Sequence, residues 1–437
     1  MNTSRVARLL MVWALAALPA VSTPFAQAIS PPGIDAKRLP KPALPAPPWP
    51  TVQREVCTTM KAEPGKGHNK LADPADLSRV WRLTRGAGQR VAVIDTGVSR
   101  HPQLADVVPG GDYVSTGDGT QDCDAHGTLV AGIIAATPGS SADGFSGVAP
   151  EATVVSIRQS SAKFAPAADR SHGGVGDVDT MAKAVRTAAD LGASVINISS
   201  VACVPVGSAL DDRALGAALA YAVDVKNAVI VAAAGNTGGA AQCPPQRPDA
   251  SWETATVAVS PGWYDDYVLT VGSVNSDGTP SAFTLAGPWV DIAAPGEAVT
   301  SLGSEPVSGT SYAAPVVSGL AALIRARFPA LTARQVMQRI KSTAHHPASG
   351  WDPRVGNGTI DALAAVSTDA APPANTATPT PTPAPITTPP PAQPRNSHAR
   401  GIALRGAAVC LTALLAALAT GAARRRLRGS GNGVPGD

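Results

Sequence analysis

Aromatic side chains make up only 4% of this 437-residue chain and charged ones only 15%. Any interior must therefore be built from Ala, Val, Leu and Ile, and at 44% hydrophobic content there is enough for one large core or two modest domains. Basic charge is missing from the middle of the chain. The formal net charge is +3, but Arg5, Arg8, Arg395, Arg400, Arg405, Arg424, Arg425, Arg426 and Arg428 lie near the two ends, where Asp437 is the only acid. The stretch between carries about −5 by difference, which leaves no basic stripe for a nucleic acid and excludes that class of partner. Cysteine is scarce too, at five. Cys123 and His126 have no second Cys/His pair to complete a zinc site, so neither a metal nor another cofactor is expected. There is no internal repeat.

What is present begins with the ends. Arg5 and Arg8 precede an apolar run from Leu9 to about Val21, and Ala26-Gln27-Ala28 has the small-x-small form of a cleavage site. Residues 1–28 therefore read as an export signal. Residues 29–79 form a Pro-rich extension, densest from Pro31 to Pro50, where neither helix nor central strand can form. It is expected to be an extended belt that stays attached, not a compact prodomain that is removed. Residues 369–400, rich in Pro and Thr, suit a semi-rigid stalk. Gly406 to Ala423 is an uncharged apolar run followed by Arg424-Arg425-Arg426-Leu427-Arg428. A membrane span over 401–423 with a basic cytoplasmic tail over 424–437 is expected, leaving the body of the chain outside the cell membrane. Five cysteines in an exported chain suggest two disulfides and one leftover, Cys410 inside the span; the other four allow three pairings.

The body, residues 80–368, alternates short β-branched runs with helical patterns. Strands are expected at Val91–Ile94, Val154–Ile157, Ser194–Ile198, Val229–Ala233, Val268–Val271 and Val290–Ala293. Helices are expected at Thr180–Leu191, Arg213–Val225, Ser311–Phe328 and Thr332–Ala344. That alternation argues for an α/β fold with a mostly parallel central sheet covered on both faces.

Three short motifs, each weak alone, fall within this body. VIDTGV (Val93 to Val98) ends a buried strand on Asp95. HGTLVAGIIA (His126 to Ala135) opens an apolar helix on His126. GTSYAAP (Gly309 to Pro315) places Ser311 at a helix start, with Pro315 expected to loosen the first turn because it has no N–H to give the Ser311 carbonyl. Together they supply a nucleophilic hydroxyl, a base to take its proton and a carboxylate to orient that base. AAAGN (Ala232 to Asn236) adds a carboxamide just after a strand. Asn236 is thus a candidate oxyanion donor, with the Ser311 N–H as the second.

With GVAP (Gly147 to Pro150), these motifs resemble the subtilisin, or peptidase S8, family over about Gln89 to Ala364. The resemblance implies a subtilisin-like three-layer fold and a serine endopeptidase in which Asp95 orients, His126 is the base and Ser311 the nucleophile. Ile198-Ser199-Ser200 stands where many members have Ser-Leu-Gly, so the substrate groove should differ. SIRQSS (Ser156 to Ser161), VINISS followed by Ala202-Cys203, and the layout of signal, extension, stalk and single C-terminal span are similar to the mycosins of type VII secretion. That narrower resemblance implies disulfides Cys57–Cys123 and Cys203–Cys243. It also implies exported proteins as substrates and the type VII secretion membrane complex as partner. An alternative role is that of a structural subunit of the complex, with proteolysis secondary. The pairs Asp211-Asp212 and Asp265-Asp266 read as solvated turns.

Overall fold

Runs of β-branched residues set the middle of the molecule. Val91–Ile94, Val154–Ile157, Val195–Ile198 and Val229–Ala233 are buried without alternation, as strands covered by helices on both faces must be. The computed structural model describes residues 28–59, 74–138, 145–169, 173–208, 210–238, 243–302 and 304–367. The expected stalk, span and tail, and all of the signal but Ala28, lie outside these residues. Among the described residues no helix is long and apolar enough to cross a membrane.

In chain order the elements are β1 (Thr51–Gln53), α1 (Pro74–Trp81), β2 (Arg90–Asp95), β3 (Val107–Asp112), α2 (His126–Ala135), β4 (Thr153–Arg158), β5 (Phe164–Pro166), α3 (Val178–Asp190), β6 (Val195–Ile198), β7 (Ala202–Pro205), α4 (Arg213–Ala220), β8 (Val229–Ala233), β9 (Val257–Ser260), β10 (Leu269–Val274), β11 (Ile292–Pro295), α5 (Thr310–Arg327), α6 (Ala333–Ser342) and α7 (Ala362–Val366). Seven strands form one parallel sheet in the order β11-β10-β8-β6-β2-β4-β3. From β2 the chain runs out to the edge at β3, returns through β4, and then crosses to β6 on the other side. The carboxyl end of β2 is thus a topological switch point, where connections diverge and open a crevice. Helix α5 is apolar nearly all round, burying Ala313, Val317, Leu320, Leu323 and Ile324 among others, as a helix inside a core should be. A capping box starts α3: the Asp177 carboxylate accepts the Thr180 N–H, and the Thr180 hydroxyl accepts the Asp177 N–H.

The structure departs from the sequence expectations in several places. Strand β3 is absent from them because Pro109-Gly110-Gly111 breaks its pattern; it is tolerated at the sheet edge, with a register shift between Pro109 and Gly111. The helix expected through Val225 ends as α-helix at Ala220 and finishes in a π turn, Tyr221–Val225. Val290 turns back to bond the Gly287 carbonyl, so β11 begins two residues later than expected. Asp212 is not a solvated turn residue. It is 1% exposed and accepts hydrogen bonds from Trp263 Nε1 (2.8 Å) and the Tyr264 hydroxyl (2.9 Å).

Residues 28–59 run extended over the body, with one 3₁₀ turn at Ala36–Arg38. The Ile29 N–H donates to the Trp252 carbonyl, and the Arg186 guanidinium holds the Pro40 carbonyl. Strand β1 pairs antiparallel with β5. Cys57 is bonded to Cys123, and the Thr58 N–H donates to the Cys123 carbonyl.

Candidate functional site

Asp95 ends β2 at the switch point and is fully buried. Its Oδ1 accepts the Thr96 N–H and lies 2.7 Å from His126 Nδ1. His126 opens α2 after Ala125, which is held in the left-handed region at φ 68°. Asp122 makes that turn possible. One of its oxygens accepts the Ala125 and Asp124 N–H groups and the Thr96 hydroxyl, and the other accepts the Thr128 N–H and hydroxyl. Glycine is required at 127, because a Cβ there would stand 2.2 Å from the Gly97 carbonyl oxygen and 3.0 Å from Asp95 Cβ. Only without it can the start of α2 come close enough for the His–Asp bond.

Burial pushes the His126 imidazole down. The charge and hydrogen bond of Asp95, with Asp122 and Asp124 behind them, outweigh this, and its pKa stands above the ordinary histidine value. The Tyr312 ring packs at 5.2 Å against the His126 ring. Burial, aided by the Asp95 and Asp122 charges, pushes the Tyr312 hydroxyl up to about 12, so it stays a neutral phenol.

Ser311 is the second residue of α5, where backbone N–H groups have no helical acceptor. Its hydroxyl makes no hydrogen bond to His126 here, but the two residues line the same cleft, about 780 Å³, with Thr58, Ser199, Asn236 and Tyr312. Such bonds are often long before substrate binds. Asn236 follows β8 through Ala234 and Gly235. Its Oδ1 accepts both the N–H (2.9 Å) and the hydroxyl (3.0 Å) of Thr310, and the Thr310 hydroxyl in turn accepts the Gly235 N–H. With the oxygen taken up, Nδ2 is the end of the carboxamide left to donate. The Cys203–Cys243 disulfide anchors the same loop, since the Cys243 N–H donates to the Asn236 carbonyl.

The structure therefore gathers Asp95, His126, Ser311 and Asn236 at one cleft, with the two disulfides beside it. Among the described residues no group of three or more His, Cys, Asp or Glu side chains could hold a metal ion. Sequence reasoning missed Asp122, Thr310 and Ser199. Thr310 stood in the open beside Ser311, and Asp122 lies four residues before His126, but neither position carries a signal without its partner.

The model of the subtilase family matches residues 86–358. The chain is 69% identical to mycosin-4 of Mycobacterium tuberculosis, over the full length of both proteins. The crystal structure of MycP1 from the ESX-1 type VII secretion system superposes with a TM-score of 0.73 at 42% identity, covering 79% of this chain and 97% of that one. A chain in the structure of an intact ESX-5 inner membrane complex gives 0.72 at 41% identity, with coverage of 90% and 100%.

Proposed function

Because this chain belongs to the subtilase family and, within it, to the mycosins, a group of serine proteases, we propose that Asp95, His126 and Ser311 are its catalytic triad and Asn236 its oxyanion donor. Ser311 Oγ attacks the scissile carbonyl while His126 Nε2 takes its proton, and Asp95 holds the imidazole in the tautomer that leaves Nε2 free. Negative charge forming on the substrate oxygen is met by Asn236 Nδ2 and the Ser311 N–H. The C–N bond then breaks as His126 returns the proton to the leaving amine. Water, activated by the same imidazole, hydrolyses the acyl-enzyme ester and frees Ser311. The observation that carries this reading is the 2.7 Å Asp95–His126 bond beneath a cleft that Ser311 and the oriented Asn236 amide share.

A fluorophosphonate probe tests it: the label is expected on Ser311, and a label on any other serine sinks the assignment. The rate of labelling should fall on the acid side, because an imidazolium cannot accept the Ser311 proton. Since the Asp95 charge raises the His126 pKa, the midpoint of that fall should lie above the ordinary histidine value. In Asp95→Asn the midpoint should move down.

The protease domain lies outside the cytoplasm, held by a span over 401–423 after removal of residues 1–28, and it acts on exported proteins beside a type VII secretion membrane complex. Support for the partner comes from the chain within the ESX-5 inner membrane complex that resembles this one, and from MycP1 of the ESX-1 type VII secretion system. Residues 29–79 stay attached as a belt. Closing a loop of 66 residues through Cys57–Cys123 stabilises the fold by about 4 kcal/mol in the chain-entropy picture, and Thr58 contributes to the cleft wall. Amino-terminal sequencing of active protein should therefore begin near Ile29. A start beyond Cys57 would show that the belt is dispensable.

A further inference from the structure

In an α-helix each carbonyl accepts the N–H four residues on. For Ser311 that donor would be Pro315, which has none. The sequence predicts a loosened first turn, yet α5 runs unbroken from Thr310 to Arg327 with Pro315 buried inside it. The vacated bond is filled from another element: the Ser199 hydroxyl donates to the Ser311 carbonyl at 2.9 Å. Ser199 follows β6 and lines the cleft.

A serine hydroxyl has one proton to give. Asn197 Nδ2 donates to Ser199 Oγ at 2.9 Å, so that proton is committed to Ser311. Asn197 is itself fixed, because its Oδ1 accepts the Ser318 hydroxyl at 2.8 Å. Ser318 lies two turns further along α5 than Ser311, so the chain of bonds leaves α5, passes through the strand end and returns to α5. Asn197 and Ser318 are 0% exposed and Ser199 8%. Water has little access to replace any link.

We propose that Ser199 is a positioning residue for the nucleophile: its hydroxyl stands in for the N–H that Pro315 lacks, and Asn197 and Ser318 keep it aimed. The carbonyl it holds fixes the backbone torsion of Ser311, and with it the direction of Oγ and of the N–H that faces the oxyanion. Ser199 does not touch the reacting atoms. A nucleophile held this way avoids the helical N–H but is not free to rock. The proposal rests on Ser311 being the nucleophile, and the experiment separates the two.

The full-length chain and its variants are compared for the rate of Ser311 labelling by a fluorophosphonate and for kcat and KM on a nitrophenyl ester of a short peptide. If the wild type is not labelled at Ser311, the nucleophile assignment fails and this proposal with it. Given labelling, Ser199→Ala should lower both the labelling rate and kcat about tenfold with KM unchanged, since a buried carbonyl is left without a partner. Unchanged rates overturn the proposal alone. Pro315→Ala restores an N–H opposite the Ser311 carbonyl. Combining it with Ser199→Ala should therefore cost less than about threefold relative to Pro315→Ala alone. A full tenfold loss in that background would mean that Ser199 acts in some other way. If Pro315→Ala does not fold, Ser318→Ala takes its place. It should give a smaller loss of the same kind, and none beyond that of Ser199→Ala when the two are combined. Multiplying losses would overturn the proposal.

Discussion

Ser311→Ala should lower turnover of an unstructured peptide by about 10⁶-fold, and His126→Ala by a similar factor, with the double variant no worse than either. That scale is the one triad loss has in subtilisins, relatives of this chain, and is not built up from its geometry. The reason for non-additivity is physical. Without the base the hydroxyl is an ordinary alcohol, and without the hydroxyl the base has nothing to activate. Asp95→Asn should cost about 10⁴-fold by a different route. The neutral amide takes away the negative charge that now lies 2.7 Å from His126 Nδ1 and that would stabilise the imidazolium formed during the reaction. None of these changes should unfold the protein. The Ser311 side chain makes no hydrogen bond within the described residues, so its removal should leave the melting temperature nearly unchanged. Single-turnover kinetics beside thermal melts is the measurement. Losses that multiply in the double variant would show that the two residues do not work as a unit.

Asn236→Ala should cost about 10²–10³ in kcat with little change in KM, because the amide is needed only when charge has formed on the substrate oxygen. The loss should be specific to the transition state, since Asn236 also holds its place through its main chain, which accepts the Cys243 N–H. Thr310→Val offers a graded version. It keeps the Thr310 N–H on Asn236 Oδ1 but removes the hydroxyl that donates beside it, so the amide is held by one bond instead of two. A drop of roughly tenfold in the same direction is expected. If Asn236→Ala acts mainly on KM, the residue binds substrate in the ground state and is not the oxyanion donor.

Asp95, His126, Ser311 and Asn236 were legible because each sits in a short contiguous motif, with a buried strand or an apolar helix beside it. Strands β2, β4, β6 and β8 were legible for a similar reason: short runs made mostly of β-branched or small apolar residues, broken only by Ser156 in β4 and Asn197 in β6, leave little else to form. The rest depends on partners far along the chain. Strands β1, β5, β7 and β9 are three or four residues long and are defined only by pairing with one another. Asp212 looks like a solvated acid until Trp263 and Tyr264 close over it. Ser199 looked only like a departure from the family's groove, and its bond to Ser311 spans 112 residues. Cysteine spacing left three pairings open, and the two bonds in the structure are those that the family resemblance suggested.

The order of strands in the sheet also has a consequence in time. A chain synthesised from its amino end releases β2 early, but β2 has no neighbour to pair with until β4 has emerged, and its other edge stays open until β6 follows. The helix bearing Ser311 arrives later still, after β11 at the far edge. Every pairing in the sheet is between distant segments, the arrangement that folds slowly and as a whole. With Asp95, His126 and Ser311 as the proposed triad, a nascent molecule therefore contains the first two but no working protease. On that assignment the enzyme cannot cut anything, its own unfolded chain included, until nearly all of its body has been made and folded.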